Sequence, residues 1–251
     1  MKLYYDPNIG DRIPNGGSGR APVFNGRFDP WRRDIIGNLS YVRNHSYEQC
    51  RGLLAACKSH IQEYSQPIDA EDVVLLTHPF YLSLCQMYAL DSGSEGTIRD
   101  YLENLFTLLE AGKSRDRFNI VVFETAQHYG AITSLLLEAG LIDAVALTKS
   151  DSGSLLDLSD IRRLKDKTLF VGGGYNGRCL YNSMNCLRIN GQDEKIFAIS
   201  DLILNSPYDG PFSPREIIFG QSFFPPSRVL SLEKVLERFG VSSSQLVQDF
   251  R

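Results

Sequence analysis

Between residues 73 and 204 the chain alternates short apolar runs of buried-strand length with stretches of helical period, a pattern that few folds accept. The runs are VVLLTHPF (73–80), NIVVFET (119–125), DAVALT (143–148), TLFVGGG (168–174) and KIFAISDLIL (195–204). Between them lie TIRDYLENLFTLLEAG (97–112), YGAITSLLLEAG (129–140) and a segment at about 178–187. In the first, Ile98, Leu102, Leu105 and Leu109 make one apolar face; Thr97 and Asp100 form a cap pair, and Gly112 closes the helix. Strands apolar on both faces and separated by amphipathic helices belong to a parallel sheet covered on both sides. The expected class is α/β: an open, mostly parallel sheet of five or six strands with helices on both faces. An N-terminal extended arm and a C-terminal helix are expected to flank it.

The flanks divide the chain at 1–45, 46–206 and 207–251. The first part is rich in Gly, Pro, Asn and Arg, contains GGSGR (16–20) and RFDPWRRD (27–34), and shows no sustained period. Its Trp31 reads as a packing anchor. The core opens with a helix over about 46–63, carrying Leu53, Leu54, Cys57 and Ile61 at helical spacing and stopped by Pro67. The last part holds SFFPPSRV (222–229) and a late helix near 232–239, packed on the core as a flap or an oligomer contact.

Composition narrows the partners. A net charge of −4 argues against a broad nucleic-acid surface, and no apolar stretch reaches the roughly 20 residues of a spanning helix. The first residues lack the basic start and apolar core of a leader, and the five cysteines are too unevenly placed for a disulfide framework. A reducing, cytoplasmic location, a small-molecule substrate, no membrane and no nucleic acid are expected. No cofactor or metal is expected, and a homo-oligomer is compatible with the C-terminal flap.

Ligands of such a sheet bind beyond the carboxyl ends of its strands. That rule points to His78, Glu124, Lys149, the turn 172–179 and Asp201. The most informative stretch is VGGGYNGRCL (171–180), where a strand runs into glycines and a helix begins near Cys179. Glycines let a substrate approach the backbone, and N–H groups at a helix start favour anions and a thiolate. A cysteine so placed can attack a carbonyl or nitrile carbon while neighbouring N–H groups hold the developing oxyanion. This puts Gly173, Gly174, Tyr175, Gly177 and Glu124 against a substrate. The competing reading is a buried structural cysteine after a tight turn. A phosphate loop is weaker: Gly172, Gly174 and Gly177 match G-x-G-x-x-G, but on the fourth strand and without an acidic ribose ligand.

Lys149, thirty residues before Cys179, could support a thiolate; alone it would read as a solvated loop lysine. Cys50, Cys57 and His60 share one helix but lack zinc spacing and a fourth ligand, so core packing is expected. Cys186 is expected to pack inward, His128 to cap or flank its helix, and DIRRLKDK (160–167) to form a solvated helix and turn.

The order Lys149, LLDLSDIRRL, Gly173, then Cys179 six residues on, then a helix, resembles the isochorismatase-like cysteine hydrolases over roughly 73–204. The following helix and a strand ending at Ser200–Asp201 fall where that family has a helix and a strand ending in an aspartate. The resemblance implies Cys179 as nucleophile and Lys149 as its charged support. The family's base is an aspartate at the end of the first strand, where this chain has His78. Histidine suits proton transfer near neutrality, with a reference pKa of about 6.5; a strand-end histidine bonded to backbone is the alternative, with Glu124 and Asp72 as substitute bases. Two functions compete. One is a cysteine-dependent hydrolase of a small amide, nitrile or related molecule; the other is a non-catalytic binder of a ligand or partner on the same fold.

Overall fold

The computed structural model describes residues 54–80, 95–112, 117–129, 133–149, 153–176, 179–189, 195–205 and 226–241. The expectations for the N-terminal arm with Trp31, for Cys50, for Gly177 and for the proline-rich loop before Pro226 lie outside these residues, as does the Tyr175 side chain.

Helix α1 (Leu54–Tyr64) precedes β1 (Asp72–Thr77), α2 (Glu95–Ala111) and β2 (Asn119–Thr125). Two short helical pieces, α3 (Ala126–His128) and α4 (Ser134–Glu138), lead to β3 (Ala144–Thr148). Then come α5 (Ser159–Arg162), β4 (Thr168–Asn176), α6 (Cys179–Ile189) and β5 (Ile196–Asn205). A 3₁₀ turn at Pro226–Arg228, β6 (Val229–Leu230) and α7 (Leu232–Arg238) finish the described chain. The strands form one six-stranded sheet in the order β3-β2-β1-β4-β5-β6, and every pairing is parallel. The expected α/β class and its parallel sheet are what the chain adopts.

Alternation along the strands explains the two-sided cover. Val74, Leu76, Ile120, Val122, Val145 and Leu147 point into the cluster that also holds Leu102, Leu105 and Leu109 of α2 and Val235 of α7. Val73, Leu75, Val121, Phe123, Ala144 and Ala146 point to the other face, against Leu180, Met184 and Leu187 of α6 and Ile161 of α5. Each fully buried leucine or phenylalanine contributes about 1.5–3 kcal/mol. Neither face could be left to water.

Three boundaries differ from expectation. Helix α2 starts at Glu95, so Thr97 sits within its first turn. Of the helix expected over 129–140 the described part is α4 (Ser134–Glu138), and a separate piece, α3, starts at Ala126, where the Thr125 hydroxyl accepts the His128 N–H and caps it. Strand β5 runs past Asp201 to Asn205: between its pairings with Val171 and Gly173 it advances from Ala198 to Ile203, so residues 199–202, Asp201 among them, bulge out of the ladder with β4 before that pairing resumes. Asp201 is therefore not a strand terminus. Its Oδ2 accepts the Leu232 N–H at 2.6 Å and anchors the start of α7.

Candidate active site

From β1 the chain runs out to β2 and β3 on one side, then crosses to β4 and β5 on the other. The carboxyl ends of β1 and β4 thus flank the switch point where open α/β sheets hold ligands. His78 directly follows the first of these strands and Cys179 comes three residues after the second.

Gly173 fixes their relation. Its φ is +111°, and a Cβ there would lie 2.0 Å from the Thr77 carbonyl oxygen and 2.6 Å from the Thr77 nitrogen. Only glycine lets the two strand ends come this close. Cys179 opens α6 with its side chain 2% exposed, and its thiol donates to the Gly174 carbonyl at 2.8 Å.

His78 is 1% exposed and has φ of +44°, a left-handed conformation uncommon outside glycine. Its N–H donates to the Phe123 carbonyl at 3.0 Å, and its ring crosses the end of β2 so that Nε2 lies 3.1 Å from Thr148 Oγ1 on β3. The Lys149 side chain is exposed. The chain after Lys149 doubles back, with Lys149 N–H on the Ser154 carbonyl and an antiparallel bridge from Thr148 to Leu155. This loop seats on α6: a Cβ on Gly153 (φ +79°) would lie 2.2 Å from the Cys179 carbonyl oxygen, and Ser183 Oγ donates to the Gly153 carbonyl at 3.0 Å. The segments carrying Lys149 and Cys179 are therefore in contact, with the lysine at the rim and the thiol inside.

Glu124 ends β2 at 1% exposure. Its Oε1 lies 3.1 Å from His128 Nδ1 and accepts the Thr125 N–H at 3.0 Å, while Thr133 Oγ1 donates to Oε2 at 3.2 Å. Burial pushes this carboxyl's pKa up, yet it lies below its ordinary value. The His128 hydrogen bond, the charges of His128 and His78 and the Thr125 N–H outweigh desolvation. The His128 and His78 rings meet edge-on with centroids 6.3 Å apart. Tyr101 of α2 donates its hydroxyl to the Pro79 carbonyl at 2.9 Å. Burial first, then the negative charges of Glu124 and Cys179, push this phenol's pKa far up.

Sequence reasoning named His78, Glu124 and Cys179, treated His128 as a helix flank, and missed Tyr101, Thr133 and Thr148. The signal for His128 was its i,i+4 spacing from Glu124; Tyr101 left no local signal. Asp72 stands at the amino end of β1, roughly 16 Å along the strand from Thr77, and pairs with Arg238 at 2.9 Å. It is no substitute base for this site. Cys57 and His60 are core residues, as expected: the Cys57 thiol donates to the Ala126 carbonyl at 3.5 Å, and His60 joins Tyr129 at 2.6 Å to Glu138 at 2.9 Å. Cys186 packs partly buried against the α6 face of the core.

No family model matches the sequence, and no curated protein matches it. Solved structures do resemble the chain. An isochorismatase-like hydrolase from Alkaliphilus metalliredigens is 10% identical over 67% of this chain and 98% of its own, with a TM-score of 0.46. A cysteine hydrolase from Pseudomonas syringae pv. phaseolicola 1448A is 14% identical over 70% and 96%, with a TM-score of 0.45. The MAR1 ribonuclease from Caenorhabditis elegans is 13% identical over 73% and 91%, at 0.47. Likeness at this level decides nothing about chemistry.

Proposed function

We propose that the protein is a cysteine-dependent hydrolase of a small amide, nitrile or related molecule, with Cys179 as nucleophile. The observation that carries this reading is the placement of a buried thiol at the first turn of α6, bonded to the Gly174 carbonyl where β4 meets the end of β1 and its buried His78.

For an amide, His78 takes the Cys179 proton as the sulfur bonds to the carbonyl carbon. N–H groups of 177–179 hold the oxyanion, and Lys149 at the rim offsets developing negative charge. Collapse breaks the C–N bond, with the amine leaving on the proton from His78. Water then adds to the thioester, giving a proton to His78, and the C–S bond breaks to regenerate the thiol. Gly173, Gly174 and Tyr175 line the approach.

Cys179→Ala is expected to abolish turnover of amide or nitrile substrates with little loss of stability, because it deletes the covalent path but only one buried hydrogen bond, worth about 1 kcal/mol. His78→Ala is expected to slow turnover by about 10²–10⁴-fold, and Lys149→Ala to impair it in a folded chain. Activity surviving Cys179→Ala would sink the mechanism.

A second reading, a non-catalytic ligand- or partner-binding protein, draws on the hydrogen bond from the Cys179 thiol to Gly174 at 2% exposure and on the histidine where a carboxylate base was expected. Mild iodoacetamide treatment separates the two. Preferential labelling of Cys179 over the other cysteines supports the hydrolase; an inert Cys179 supports the binder.

A further inference from the structure

Glu124 has no part in the steps above, yet it is the most elaborately held ionisable group beside them. A carboxylate at 1% exposure would shed its charge unless compensated. Here it has three hydrogen-bond partners, from Thr125 at the end of β2, from His128 and from Thr133. Among the described residues, the titratable groups that act on it belong to the candidate site: His128 bonded to it, His78 edge-on to His128, and Tyr101, whose hydroxyl feels the charges of Glu124 and Cys179. Tyr101 stays neutral, and Lys149 stands at the exposed rim. The charge of Glu124 therefore acts on the two imidazoles.

Resting on the reading of Cys179 as nucleophile, we propose that Glu124 is a positioning residue for the Cys179–His78 pair, its carboxylate supplying the buried negative charge against which His78 accepts the thiol proton. The step moves one proton from sulfur to imidazole and leaves a thiolate beside an imidazolium. A nearby anion favours that cation, and the coupling is reciprocal: the His78 charge that helps keep Glu124 ionised is favoured by Glu124 in return. His128 fixes the carboxylate through Nδ1 and so fixes where the charge sits. The histidine in place of a first-strand carboxylate thereby keeps an acid partner, one strand away on β2.

The test follows the pH dependence of Cys179 alkylation by iodoacetamide in the full-length protein, with labelling read by peptide mass spectrometry. In wild type, the rate inflection for Cys179 is expected below the ordinary thiol value of about 8.5. Glu124→Gln keeps the side-chain shape and removes the charge. The inflection should rise by about one pH unit and the rate at pH 7 should fall about tenfold. A merely structural role predicts the reverse at pH 7, faster labelling through loosened packing, with the inflection unmoved; that result overturns the inference. Thr133→Val removes one donor but keeps the carboxylate with its His128 partner, and should leave the inflection near wild type. His128→Asn removes the partner that most favours the charge and should raise the inflection toward that of Glu124→Gln; an inflection that His128→Asn leaves unmoved also overturns it. If Glu124→Gln does not fold, these two variants carry the test. A wild-type Cys179 that labels no faster than a simple thiol defeats the nucleophile reading itself. A depressed wild-type inflection that Glu124→Gln leaves in place defeats only the role of Glu124.

Discussion

Gly173→Ala would place a methyl group where the two central strands of the sheet nearly touch. The new Cβ would sit 2.0 Å from the Thr77 carbonyl oxygen and 2.6 Å from its nitrogen, both backbone atoms that cannot rotate away. Relief requires β1 and β4 to part by about 1 Å, against the packing of a sheet buried on both faces. The conformation adds to the clash, because φ of +111° is strained for an L-residue. Backbone strain of about 1–3 kcal/mol and overpacking of about 1–3 kcal/mol together predict a loss of about 2–6 kcal/mol. Urea denaturation should show a midpoint lower by about 1 M or more at unchanged slope, and the upper end of the range leaves little folded protein. In the folded fraction, parting the strand ends should also expose Cys179 and speed its labelling. Gly172→Ala is the control: its Cβ would meet Leu202 and Leu76 at 2.9–3.3 Å, in a conformation open to any residue, and should cost less. A Gly173→Ala protein within about 0.5 kcal/mol of wild type would refute the close approach of β1 and β4, and with it the geometry of the site.

Arg238 bonds Asp72 through Nε at 3.0 Å and Nη2 at 2.9 Å, and its guanidinium lies 5.3 Å from the Phe170 ring centroid. Because the arginine is half exposed, a double-mutant cycle on Asp72 and Arg238 should give a coupling of about 0.5–1 kcal/mol, shrinking in high salt; coupling that salt leaves unchanged would contradict this. Glu124 has a lowered folded-state pKa, so its contribution to stability is fully present above its ordinary value of 4.5 and is lost as pH falls through the lower folded value. Urea midpoints measured below pH 4.5 should therefore fall more steeply for wild type than for Glu124→Gln; parallel curves would refute it.

Local period and turn chemistry are properties of the chain itself, and they sufficed for the elements. Runs such as NIVVFET and AVALT have no polar face, so they must be strands covered on both sides, and they are. Cys179 was legible as the first residue of a helix because glycines precede it and Leu180, Met184 and Leu187 then recur at helical spacing. What the sequence alone left open depends on pairings across tens of residues. The bulges that let β5 run on to Asn205 arise from its register with β4, and they turn Asp201 from a strand-end candidate into an anchor for α7. Asp72 and Glu124 are both acidic residues at strand ends. The strands' direction and the docking of α7 put Asp72 beside Arg238 and Glu124 beside two histidines. Tyr101 reaches the Pro79 carbonyl only because α2 folds back across the sheet. Periodicity tells which residues must leave water. Which charged group meets which is decided by the packing of those buried faces, since a carboxylate taken into the interior stays ionised only where the fold supplies its partners.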